Sequence, residues 1–217
     1  QGSHLLGSQH TELKQVASHG FGGGTPAHAA HRIKEMVAAL RKHFIITEGI
    51  GLELHPDNVN VAVLQALKDA GVTKISIGVQ SFCHKYQKLL GRKKLDTDKM
   101  LSALSAVPFE TVSMDFIFAL PGQTYDDLKS DIETAFSLGA NHIAIYPFID
   151  FTFTESPLAA MPKKDKRRLL DAITQYCLDM GYFRSSVWTF SSEPNASYSS
   201  MTRDTFLGFG CSATSLF

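Results

Sequence analysis

Cysteine is scarce: Cys83, Cys177 and Cys211 are the only three in 217 residues, and they stand far apart. That excludes a disulfide framework and the paired spacing of a structural zinc site. Charge of either sign is not in excess, since 21 basic and 21 acidic side chains cancel. Neither nucleic acid nor an anionic membrane surface is therefore the expected partner. No apolar run approaches the roughly 20 residues that span a bilayer. Residues 1–20 are polar and carry no signal-peptide pattern, and Gln1-Gly2-Ser3-His4 reads as the remnant of an expression tag. Low-complexity linkers and internal repeats are missing too. What remains is a globular chain of near-zero mean hydropathy (−0.04), expected in a reducing, cytoplasmic setting.

Glycine, by contrast, is concentrated at one place. Phe21-Gly22-Gly23-Gly24-Thr25-Pro26 has three successive residues without a Cβ, so a bound group can reach the main-chain N–H donors directly. Pro26 fixes φ and opens the helix that follows, which the spacing of Ile33, Met36, Val37, Leu40 and Phe44 predicts over 28–44. Residues 5–20 read as helix-like at best and supply no apolar strand to feed the glycine loop.

From there the chain alternates. Strands are expected at 49–55, 72–79, 111–119 and 142–146, and helices at 59–70, about 83–90, 95–106 and 124–139. The charged stretch 163–168 reads as a turn into a helix ending at Met180, with a fifth strand at 183–188. Thr124 and Asp127 have the spacing of a capping box. Units of this kind signal βα repeats on a parallel sheet, an α/β fold as an open sheet or barrel. The expected divisions are a short N-terminal segment at 5–20 with a break before 21, a body at 21–190 and a closing segment at 191–217.

In such folds, ligand-binding residues gather at the C-terminal ends of the parallel strands. Glu53 lies near the end of one strand, Gln80 ends another, and Tyr146-Pro147-Phe148 closes a third. Asp115 sits within Val112-Ser-Met-Asp-Phe-Ile-Phe118, where a carboxylate without partners is costly, so partners are expected. Arg92 alone is a basic turn residue. Two carboxylates, an amide and a glycine loop suit a small polar ligand with a ribose and an amino-acid moiety. Nine histidines are scattered, His55, His84 and His142 among them, and none is assigned a metal.

Gly22-Gly-Gly-Thr-Pro26, Glu53-Leu-His-Pro56, Ser76-Ile-Gly-Val-Gln-Ser-Phe82, Leu90-Gly-Arg92, Met114-Asp-Phe-Ile-Phe-Ala-Leu-Pro-Gly-Gln-Thr124 and His142-Ile-Ala-Ile-Tyr146 follow in order. Together they resemble the radical S-adenosylmethionine (SAM) enzymes related to oxygen-independent coproporphyrinogen III oxidase and its haem chaperone relative. The resemblance covers about residues 21–217. Tyr198-Ser-Ser-Met-Thr-Arg-Asp204 and Gly208-Phe-Gly-Cys-Ser-Ala-Thr214 look most like the anaerobic haem-utilisation branch, which methylates and opens haem and releases iron.

The resemblance implies a partial (β/α)6 TIM-like barrel, strands inside and helices outside, incomplete at its N-terminus. It implies SAM held over a [4Fe–4S] cluster that cleaves it to a radical, the protein supplying orientation and protection. Gly23, Gly24 and Thr25 would bind the aminocarboxylate end of SAM. Glu53, Gln80, Arg92 and Asp115 would surround its amino group, ribose and methionine, while Phe148 and Thr214 would line the adenine side. Haem or a related tetrapyrrole and an electron donor of the flavodoxin or reductase type are the implied partners.

One departure stands out. The family holds its cluster with Cys-x3-Cys-x2-Cys, a motif this sequence does not contain. Either the sequence joins segments across an omitted cluster loop, or it is a shortened form, or it is a relative that binds SAM or haem without radical chemistry. Persistence of the SAM-contact positions favours the first two. The alternative functions on the same scaffold are a haem chaperone and a coproporphyrinogen III oxidase.

Overall fold

The computed structural model describes residues 14–22, 30–149 and 160–196, with the single residues 198, 208 and 215. Five strands run parallel in one sheet: β2 (His19–Phe21), β4 (Ile50–Leu54), β5 (Lys74–Gln80), β6 (Thr111–Phe118) and β7 (His142–Pro147). The last strands, β8 (Phe183–Arg184) and β9 (Thr189–Ser191), form a hairpin, and β9 joins β7 antiparallel. The sheet order is β2-β4-β5-β6-β7-β9-β8. A separate parallel pair is made by β1 (Lys14–Val16) and β3 (Phe44–Ile46). Helices α1 (Ala30–Arg41), α2 (Val61–Asp69), α3 (His84–Leu89), α4 (Thr97–Ala106), α5 (Tyr125–Ser137) and α6 (Lys163–Asp179) make the connections. This is a partial α/β barrel, which agrees with the α/β fold expected from the alternation and with the barrel that the resemblance implies.

Local chemistry explains the boundaries. Asn60 and Asp96 cap α2 and α4 by accepting from Val63 N and Lys99 N. The expected capping box is formed, with Thr124 accepting from Asp127 N and Asp127 accepting from Thr124 N. Gly71 and Gly139 follow helix ends at φ of +94° each, a left-handed turn that glycine adopts without strain.

Alternation sorts the strand side chains into two faces. Leu52, Ile75, Ile77, Met114, Phe116, Ile143 and Ile145 are fully buried on one face, in a core shared with Leu64, Leu67, Leu128 and Ile132 of the helices. The opposite face carries Gly51, Glu53, Ser76, Gly78, Ser113, Asp115, His142 and Tyr146. The inside of the barrel is thus polar.

Four expectations need correction. Residues 14–21 form two short strands, and β2 leads straight into Gly22. Three-residue strands are too short to show a period of two, and pairing with β4 is what holds this one extended. The helix of 28–44 ends at Arg41, with Phe44 opening β3. The charged stretch 163–168 is already helix; its buried positions Leu169, Ile173 and Cys177 appear only later, at spacings of four. The strand expected at 183–188 is the antiparallel hairpin, turned by Ser185–Trp188.

Candidate functional site

The polar face converges at the C-terminal ends of β4 to β7. Glu53, on β4, lies against the main chain at Gly22: a Cβ built there would stand 3.1 Å from the Glu53 carboxylate carbon and from both its oxygens. A side chain at position 22 would press on that carboxylate and require it to shift by a few tenths of an ångström, so glycine allows the close approach. Gly51, two residues earlier, leaves room for Tyr198, whose ring carbon Cε2 would be 2.8 Å from a Cβ at position 51.

Asp115 has the partners expected of it. The Ser76 hydroxyl lies 2.8 Å from both carboxylate oxygens, and Ser113 Oγ donates to Oδ1 at 3.4 Å. Burial pushes the Asp115 carboxyl up to about 6; the Ser76 bond opposes the rise, the charge of Glu53 adds to it and the Ser113 bond opposes it. Tyr198 and Tyr146 close the same space. Burial and then the charges of Asp115 and Glu53 raise the Tyr146 phenol, and burial with the same two charges raises that of Tyr198, so both stay protonated.

Gln80 and Arg92 form a second group around Gly78. Gln80 ends β5 at φ of +70° after a break in register with β6, and a Cβ at Gly78 would be 3.1 Å from Gln80 Nε2. Arg92 Nη1 donates to the Gly78 carbonyl at 2.6 Å. Burial lowers the guanidinium's affinity for its proton, and the charge of Asp57 counters that. Phe148 lies just beyond β7, its N–H donating to Phe118 O and its carbonyl accepting from Lys166 Nζ. No described contact joins it to Glu53 or Asp115. Gly23, Gly24, Thr25 and Thr214 fall outside the described residues, as do Cys211 and most of 198–217.

The sequence motifs hold this site in place. Asp131 of α5 accepts from Ser81 Oγ and Phe82 N at 2.7 Å each, and burial raises its carboxyl to about 6 against those bonds. Gln87 Nε2 donates to Val79 O and Ser81 O, and Tyr86 donates its hydroxyl to Gly122 O and Asp127. The turn after β5 is thereby pinned to α3, α5 and the 120–124 loop. Sequence reasoning passes over Ser76, Ser113, Asp131 and Gln87. The signal for the serines is present: Lys74-x-Ser76-x-Gly78 and Thr111-x-Ser113-x-Asp115 place polar groups at a period of two on strands whose other face is fully apolar.

Two of the candidate histidines take structural places. His55 Nδ1 accepts from Asp57 N, and His142 is buried with Nδ1 2.8 Å from Ser113 Oγ. Cys83 stands at the start of α3, while Cys177 is buried in the core with its thiol pushed up to about 12. Among the described residues no cluster of His, Cys, Asp and Glu is arranged to hold a metal, and no helix is long and apolar enough to cross a membrane.

Comparison with known proteins places this geometry. The model of the radical SAM superfamily matches residues 8–135. A haem chaperone, HemW of Lactococcus lactis, is 28% identical over 95% of this chain and 58% of its own length. An oxygen-independent coproporphyrinogen III oxidase of Pseudomonas aeruginosa is 25% identical over 72% of this chain and 35% of its own. The solved coproporphyrinogen III oxidase HemN of Escherichia coli superposes with a TM-score of 0.75 at 21% identity, over 93% of this chain and 52% of that one. The chain thus spans between a third and three-fifths of the length of these relatives.

Proposed function

The chain belongs to the radical SAM superfamily, and from that premise we propose that it holds SAM at the polar mouth of its barrel and serves tetrapyrrole handling. Its kinship lies with the haem chaperones and coproporphyrinogen oxidases. The observation that carries this is the approach of the Glu53 carboxylate to Gly22, beside Asp115. A carboxylate against a glycine main chain offers an acceptor for an ammonium and N–H donors for a carboxylate in one place, which is what the amino-acid end of SAM requires.

In this assignment Gly23, Gly24 and Thr25 take the aminocarboxylate, and Glu53 the ammonium. Asp115, steadied by Ser76, takes ribose hydroxyls; Gln80 and Arg92 orient the methionine part; Phe148 and Thr214 cover the adenine. Bound SAM supplies the group that radical SAM proteins cleave, and the residues named bind it and exclude water from it. A [4Fe–4S] cluster, used with SAM throughout this family, does not fit the cysteines present. Cys83 starts a surface helix, Cys177 lies in the apolar core, and the sequence has no Cys-x3-Cys-x2-Cys loop.

Haem chaperoning is the reading that the relatives favour; porphyrinogen oxidation ranks beside it. Haem breakdown by methyl transfer rests on the resemblance at 198–214, of which the structure describes only residues 198 and 208. Titration of the chain with SAM and with haem tests the binding, and anaerobic incubation of a form that carries the cluster cysteines with SAM, a reductant and either haem or coproporphyrinogen separates the three readings. Haem bound one-to-one and recovered intact supports the chaperone, loss of porphyrinogen the oxidase, and loss of haem the methyltransferase. Absence of SAM binding would refute the site assignment.

A further inference from the structure

Below Asp115, one step toward the N-terminal end of the sheet, lies a row of buried polar groups, of which the binding assignment uses only Ser76, as the support of Asp115. Ser76, Ser113 and His142 occupy the same register across β5, β6 and β7, each 1% exposed or less. Ser113 Oγ is 2.8 Å from His142 Nδ1 and 3.4 Å from Asp115 Oδ1. One hydroxyl thus stands between an imidazole and a carboxylate and has a single hydrogen to give. Two residues lower on the same face, Lys74 and Thr111 line a cavity of about 550 Å³ at the N-terminal mouth, together with Glu48, Glu110 and Glu193.

We propose that Ser113 and His142 form a proton relay to Asp115 inside the barrel, along the contacts from His142 Nδ1 through Ser113 Oγ to Asp115 Oδ1. With Asp115 ionised, Ser113 donates toward Asp115 Oδ1 and accepts from Nδ1–H of neutral His142. A proton taken up at His142 Nε2 makes a new N–H bond there. The Nδ1 proton passes to Ser113 Oγ, and the Ser113 hydroxyl proton passes to Oδ1. Asp115 ends neutral, His142 ends as the Nε2–H tautomer, and Ser113 now donates to Nδ1. One proton has entered and no electron has moved.

The surroundings suit such a relay. Burial, aided by the charge of Lys74, pushes His142 down to about 4, while Asp115 is pushed up to about 6. Between those values the ring is neutral at rest, so it passes a proton without storing one. The charged or titratable groups facing Asp115 are Glu53 from β4, Tyr146 from β7 and Tyr198 from the C-terminal segment; Lys74 from β5 acts on His142. Both phenols stay protonated, which leaves Glu53 as the one that shifts Asp115 by its charge. The functional meaning of the relay rests on Asp115 as a SAM contact: it would let Asp115 change charge while bound ligand seals the mouth above it.

The test needs no ligand. Long-range ¹H–¹⁵N spectra of the His142 ring and ¹³C shifts of the Asp115 carboxyl are followed in the full chain while pH is lowered from about 8 to about 4.5. The expected result is an exchange of the protonated ring nitrogen, with a midpoint coinciding with that of Asp115 near 6. In Ser113→Ala the carboxyl still titrates and the exchange disappears; in Asp115→Asn it also disappears. Ring shifts that stay flat through the Asp115 midpoint in the wild type overturn the relay, as does an exchange that survives Ser113→Ala. Since SAM is absent throughout, failure of SAM binding leaves this result untouched, and loss of the exchange leaves the binding assignment standing.

Discussion

Ser76→Ala tests how the carboxylate of Asp115 is kept in the barrel. The hydroxyl removed lies 2.8 Å from both Asp115 oxygens, and a hydrogen bond to a charged group contributes about 1.5–3 kcal/mol. Only the excess over the bond made to the neutral acid, about 0.5–2 kcal/mol, shifts the titration, so at about 1.4 kcal/mol per pH unit its loss moves the Asp115 midpoint up from about 6 by roughly half a unit to one and a half units. Because the folded value stands above the ordinary 3.8, the stability linked to Asp115 is fully present below the unfolded value. It is lost as pH rises through the folded one. The wild type therefore completes this loss near pH 7, whereas the variant continues to lose stability toward about pH 8. At about pH 5 Asp115 is neutral in both, and the variant lacks only an ordinary hydrogen bond of about 1 kcal/mol. Urea unfolding should then find Ser76→Ala less stable by about 1.5–3 kcal/mol near pH 8 and by about 1 near pH 5. In an Asp115→Asn background the two costs become equal. A cost independent of pH in the otherwise wild-type protein would refute the reasoning.

Gly22→Ala puts a methyl group 3.1 Å from the Glu53 carboxylate; displacement by a few tenths of an ångström should weaken SAM binding about tenfold (about 1.4 kcal/mol) and leave the melting temperature close to wild type. Calorimetric titration showing unchanged affinity would remove Glu53 from the site. Asp131→Ala strands the Ser81 hydroxyl and the Phe82 amide, at about 1–3 kcal/mol for each, and should free the turn that carries Gln80. A stability loss under about 0.5 kcal/mol would show that Asp131 is no anchor. Cys177, buried with a thiol raised to about 12, should resist thiol reagents until the chain unfolds. Iron and sulfide reconstitution of these 217 residues should yield no brown chromophore, and a cluster formed on this chain would contradict the cysteine placement.

Much of the site is legible in the order of the residues. Glu53, Gln80, Arg92 and Asp115 stand in strings specific enough to carry a family resemblance. Asp115 announces its need for partners because a carboxylate on an apolar strand is costly. Which groups supply them is not legible: Ser76 and Ser113 lie 39 and 2 residues from Asp115, and only register brings the first of these to it. The short strand His19–Phe21 and the antiparallel hairpin escape a sequence reading for one shared reason. Elements of two or three residues are defined by the strand beside them and carry no periodicity of their own.

The alternating units, the capping residues and the glycines that end helices are local chemistry, so the amino-acid sequence alone determined an α/β fold on a parallel sheet, open or closed, and the family resemblance narrowed it to a partial barrel. The joining of Glu53 to Gly22, the pairing of Asp115 with Ser76 and the Ser113–His142 contact were decided only in three dimensions. They arise where parallel strands distant in the chain come into register, and a polar side chain inside a barrel finds its partner across the sheet rather than along the strand.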